Sequence, residues 1–148
     1  MSRYEALLIR VGLLYFILTA SFGFLFYLFP KLIPYFRTSH IHAGVLGFFL
    51  SMVMGVAYWM MPRPKQLKQE RLEAINFYLL NSGLVLRLIF EPWWLYTRDP
   101  MLKNVVILSA FLLLAAVVVF AIAMNARVVT AKKILAMRAA KKIKSNNK

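Results

Sequence analysis

Four apolar runs, each close to the length that crosses a bilayer, constrain this chain more than any other feature. They cover about residues 4–29, 39–61, 75–96 and 102–124 of 148. A membrane-spanning helix needs about 20 consecutive, mostly apolar residues. Backbone polar groups find no water in hydrocarbon, so isolated spans of this length must be helices with internally satisfied hydrogen bonds. The runs predict an all-α membrane protein. Residues 1–125 form one four-transmembrane-helix bundle and residues 126–148 a basic tail. At 61% hydrophobic residues, the chain leaves no segment for a separate soluble domain.

Charge suggests an orientation. There are 19 Lys plus Arg against 5 Asp plus Glu, a net charge of +14. Such an excess raises nucleic-acid binding, but its distribution argues for a membrane. The basic residues gather in Arg63–Arg71 and Arg127–Lys148, which share one side if four helices alternate in direction. Basic connections stay in the cytoplasm. The expectation is a multi-pass protein of a prokaryotic inner membrane, with both termini cytoplasmic and no nucleic-acid partner. The tail mixes Ala and Lys with Ile, Leu and Met, so it suits either an anionic membrane surface or the plainer task of fixing topology. The first run shows no A-x-A-like cleavage site and reads as a retained helix. Arg10, about two turns into it, is expected to snorkel to the interface.

The chain has no cysteine, which removes disulfides, thiolate metal sites and covalent heme attachment through C-x-x-C-H. Its two histidines, His40 and His42, lie in the stretch Arg37-Thr38-Ser39-His40-Ile41-His42-Ala43-Gly44-Val45-Leu46-Gly47. Pro30 and Pro34 are read as ending the first helix, and Ser39 as capping the second. The histidines would then sit at the mouth of an apolar helix, where polar side chains are usually functional. Two readings stay open: imidazoles bonded to backbone or water, and ligands of a metal or heme.

Helix geometry narrows the second reading. Residues two apart point about 200° apart, so His40 and His42 cannot ligate one small ion from a regular helix. Zinc or copper needs three or four converging ligands, and no third histidine exists. A six-coordinate heme iron needs only two axial ligands, and the second could come from another copy of the chain. Met52 and Met54 lie about 15 Å or more down the same helix and are discounted.

Gly44, Gly47, Ser51 and Gly55 recur every three or four residues. Small residues at this spacing let helices approach closely in lipid; the alternative is a flat face for a macrocycle. Arg87 and Glu91 are spaced for mutual neutralisation, with a heme propionate as a competing partner for Arg87. Pro92, Trp93, Trp94 and Tyr96 mark an interfacial aromatic belt. The last run, rich in Leu, Val, Ala, Ile and Phe, is expected to face lipid or a neighbouring subunit.

The stretch His40-Ile41-His42, Gly47-Phe48, then Gly55-Val56-Ala57-Tyr58-Trp59-Met60-Met61-Pro62-Arg63 resembles the catalytic subunit of heme-copper oxidases and nitric oxide reductases. Helices of that family often read H-A-H-x-x-x-x-G-[WF] and then G-x-x-Y-x-x-x-P-R. The resemblance is strong over about residues 37–63, suggestive over Phe77–Trp94 and absent elsewhere. It implies a bundle resembling one four-helix arc of heme-copper oxidase subunit I, whose twelve helices form three such arcs. It also implies non-covalent heme b, with His40 of one four-helix unit facing His42 of another. Such chains would form a homo-oligomer, with a trimer favoured and a dimer as alternative. The family's copper site needs three further histidines, and its proton-channel acids have no counterpart here. An oxygen-reducing centre is therefore not supported.

The expected function is that of a b-type membrane cytochrome for electron transfer, with a quinone or an outer-face protein as a possible electron partner. His40 and His42 would bind iron, Arg37 and Arg87 the propionates, and Gly44 and Gly47 would pack near the ring. The alternatives are a heme-based gas or redox sensor and a cofactor-free accessory subunit of a respiratory complex.

Overall fold

The computed structural model describes residues 2–61 and 70–128. The expected helix stop at Pro62 and Pro64, most of the basic connection, and the tail beyond Val128 lie outside the described residues. Four spans are long and apolar enough to cross a membrane, and the chain is read accordingly as a multi-pass membrane protein: Arg3–Leu28, Pro30–Met60, Glu70–Thr97 and Pro100–Asn125.

The first span is helix α1 (Arg3–Leu28), opened by a capping box. The Glu5 amide donates to Ser2 Oγ at 3.2 Å, and the Ser2 amide donates to the Glu5 carboxylate at 2.5 Å. Two amides that the helix itself leaves unpaired are thereby satisfied.

The second span has three parts after a 3₁₀ turn at Pro30–Leu32. Helix α2 (Ile33–His42) runs into a π-helical segment (Ala43–Leu50), which runs into α3 (Ser51–Met60). The expected start at Ser39 is corrected. Pro34 lies in the first turn of α2, where its missing N–H would have had no partner anyway. Ser39 is fully buried in mid-span instead of serving as a cap. His40 therefore sits about 10 Å inside the helix, not at its mouth.

The third span is α4 (Glu70–Thr97), which continues through Pro92. Arg98 ends it in the left-handed region, with φ 59°. Asp99 then caps α5 (Pro100–Arg127), accepting from the Met101 amide at 2.7 Å, with Pro100 at the first helical position.

Successive spans run antiparallel. Along the first two, Ile9 meets Gly55, Gly12 meets Met52, Tyr15 meets Gly47, Thr19 meets Gly44, and Gly23 meets His40. α4 pairs with α5 through Gly83 against Leu113 and the Ser109 carbonyl. The core joins the layers through Leu8, Tyr15, Met54, Tyr58, Leu80, Leu84, Leu113 and Ala116. α5 thus buries one face on α4, while Phe111, Leu114, Val118 and Ile122 remain exposed for lipid.

Candidate functional site around His40 and His42

Three side chains of α2 and α4 meet near the end of the bundle where α1 turns into α2. Glu91 accepts from Arg87 Nη2 at 3.2 Å, one turn apart on α4. Its other oxygen, Oε2, lies 3.6 Å from Nδ1 of His42. That separation places a charge beside the imidazole but is too long for a hydrogen bond. Nδ1 of His42 is instead bonded at 2.8 Å to the Thr38 carbonyl, one turn back on its own helix. His40 faces away from this group. Its Nδ1 lies 3.1 Å from the Thr19 carbonyl of α1, and its ring makes an edge contact with Phe26.

A carbonyl oxygen only accepts, so each Nδ1 must carry the proton. In a neutral imidazole the other nitrogen, Nε2, then holds the lone pair. No described residue bonds either Nε2. A backbone carbonyl on the far nitrogen is the arrangement that fixes tautomer and ring orientation in metal-binding histidines. The two open readings thus meet in one geometry, with one nitrogen satisfied by backbone and one available. Gly23 lies alongside the His40 ring, and a Cβ there would stand 3.7 Å from its Cε1. Gly23 and Phe26, together with Tyr27, Pro30 and Ile33, border an apolar groove of about 420 Å³. A groove of this size with few polar groups suits a largely apolar ligand.

The remaining candidate residues separate. Arg37 is exposed on α2. Arg87 is held by Glu91, the neutralised arrangement expected from their spacing. The cofactor role expected of Gly44 and Gly47 is corrected, because both face α1. A Cβ on Gly47 would come within 2.5 Å of Tyr15, and one on Gly44 within 3.2 Å of Thr19. Their small size serves helix packing, the other role their spacing allowed. Among the described residues, no group of three or more His, Cys, Asp or Glu converges on one point.

A second polar cluster, not expected from the sequence, lies at the opposite end of the bundle. Arg127 is 1% exposed and Glu73 fully buried, and they pair at 2.9 Å. Arg127 also donates to the Tyr58 carbonyl at 2.6 Å and lies over the Tyr58 ring. Ser2 Oγ donates to the other Glu73 oxygen at 2.5 Å, and Asn76 donates to the Tyr58 hydroxyl at 3.1 Å. In the sequence Arg127 reads as the first basic residue of the tail. The available signal was the buried α4 face shared by Glu73, Asn76, Leu80 and Leu84.

No family model, no curated protein and no solved structure matches this chain.

Proposed function

We propose that this chain is a b-type membrane cytochrome in which heme b is held between neighbouring copies of a ring-shaped homo-oligomer. His40 of one protomer and His42 of the next would hold the iron through their Nε2 atoms. One observation carries the reading: each imidazole donates Nδ1–H to a backbone carbonyl, on opposite sides of α2, and keeps Nε2 available. Two ligands that face apart cannot meet within one chain, so the reading requires a second copy. Closed rings are the usual outcome for identical subunits joined head to tail, and the trimer is preferred over the dimer.

When bound, the group would supply one-electron chemistry. The chain's residues orient the imidazoles, exclude water with Phe26 and the neighbouring apolar side chains, and offer the exposed Arg37 to a carboxylate. A lipid-soluble quinone or a protein at the membrane surface would exchange the electron. The proposed location is a prokaryotic inner membrane with both termini cytoplasmic.

The test is a reduced-minus-oxidised absorption spectrum of purified, heme-replete protein with the heme-to-chain ratio. A sharp b-type α band at one heme per chain is expected. Absence of the band, or a heme-free monomer, refutes the proposal.

A further inference from the structure

We infer that Glu91 is a positioning residue for His42, which holds its imidazole in an electronegative setting and thereby favours the oxidised state of a metal bound at Nε2. The inference rests on the heme reading above and adds to it a residue that tunes the potential.

Three buried polar atoms around His42 lack a hydrogen-bond partner among the described residues: Thr38 Oγ1, Arg87 Nε and Glu91 Oε2. Glu91 is 5% exposed, and its Oε2 is the atom turned toward His42 Nδ1, at 3.6 Å. A buried acceptor without a donor is costly. Arg87 offsets the carboxylate from the Oε1 side only, at 3.2 Å. The side facing His42 therefore keeps an unmatched acceptor.

The remaining surroundings do not cancel it. α2 and α4 present Thr38, His42, Arg87 and Glu91 here, and the next basic residue along α2, Arg37, is exposed. A cation bound at Nε2 withdraws electron density from the ring and makes Nδ1–H a stronger donor. Glu91 Oε2 lies within reach of that proton after a small side-chain shift, and Thr38 O already orients it. A metal at Nε2 would stand across the ring from Glu91, and removing one electron from it would add one unit of positive charge that the carboxylate attracts. In a low-dielectric site that interaction is much stronger than in water. A carboxylate behind a ligating imidazole also raises the ligand's basicity. Both effects stabilise the oxidised state. Among the described residues His40 has no such neighbour, since its Nδ1 faces the Thr19 carbonyl and its ring faces Phe26.

The experiment is a spectroelectrochemical titration of the full-length, heme-loaded oligomer, comparing wild type with Glu91→Gln. Glutamine keeps the shape and the contact to Arg87 while removing the charge. The expected result is retained heme and a reduction equilibrium shifted at least tenfold toward the reduced state, about 59 mV for one electron. Asp99→Asn, which removes an exposed carboxylate at the same end of the bundle, should leave the potential in place. An unchanged potential in Glu91→Gln overturns the inference while leaving the heme reading intact. Should Glu91→Gln fail to accumulate, Glu91→Asp decides: it keeps the charge but draws it back by one methylene. A smaller shift of the same sign supports the inference, and no shift overturns it. A wild-type protein that binds no heme overturns both readings.

Discussion

Arg127 and Glu73 meet at 2.9 Å with neither side chain exposed to solvent. They tie the last turn of α5 to the first turn of α4, and Ser2 Oγ on the same carboxylate brings in the start of α1. Breaking one partner of a buried pair leaves an uncompensated charge and costs about 3–5 kcal/mol. Arg127→Met should destabilise the bundle by that order in reversible unfolding from mixed micelles. The double variant Arg127→Met/Glu73→Gln should recover part of the loss, since neither charge then remains.

Gly47 and Gly23 separate packing from free space on the same helix pair. A methyl at Gly47 would stand 2.5 Å from Tyr15 Cγ, whereas one at Gly23 would stand 3.7 Å from His40. Gly47→Ala should cost about 1–3 kcal/mol, the usual effect of overpacking. Gly23→Ala should fall within about 0.5 kcal/mol of wild type, as substitutions away from such features do. Parallel thermal melts monitored by helical circular dichroism check both.

Asp99 carries the turn between α4 and α5 by accepting the Met101 amide at 2.7 Å. Asp99→Ala should lower stability by about 1 kcal/mol, and Asp99→Asn should restore most of it. The same unfolding measurement compares the three proteins.

The proposed ring makes a complementation prediction. His40→Ala and His42→Ala should each abolish the bis-imidazole spectrum when purified alone. Co-expressed in equal amounts, they should restore about a quarter of the wild-type signal, because one seam in four joins an intact His40 to an intact His42 in a randomly mixed closed ring. Low-temperature spectra normalised to total chain measure the fraction.

The spans were legible because a bilayer demands length and apolarity together, and the four runs fall within the described spans except for one residue at the end of each of the first two. Their ends were not. Pro34 reads as a stop but lies in the first turn of α2, and the polar Glu70 and Glu73 conceal the start of α4. The opposed faces of His40 and His42 followed from helical pitch alone. Their partners did not, because Thr19 and Glu91 reach them only through the pairing of the second span with α1 and α4. The capping pair Ser2 and Glu5 is local, but its link to Glu73 spans 71 residues and has no local signature.

The π-helical segment Ala43–Leu50 begins at the residue after His42. A stretch wound more widely than an α-helix holds one residue more than an α-helix would use for the same number of turns. Deleting a single residue there would let the coil tighten to an α-helix with the same number of turns, and the imidazole-bearing half of the span would keep its azimuth relative to Met54 and Tyr58. Winding the intact segment as a regular α-helix would instead turn both rings by roughly 100°, so their azimuth is set by the wide coil downstream of them.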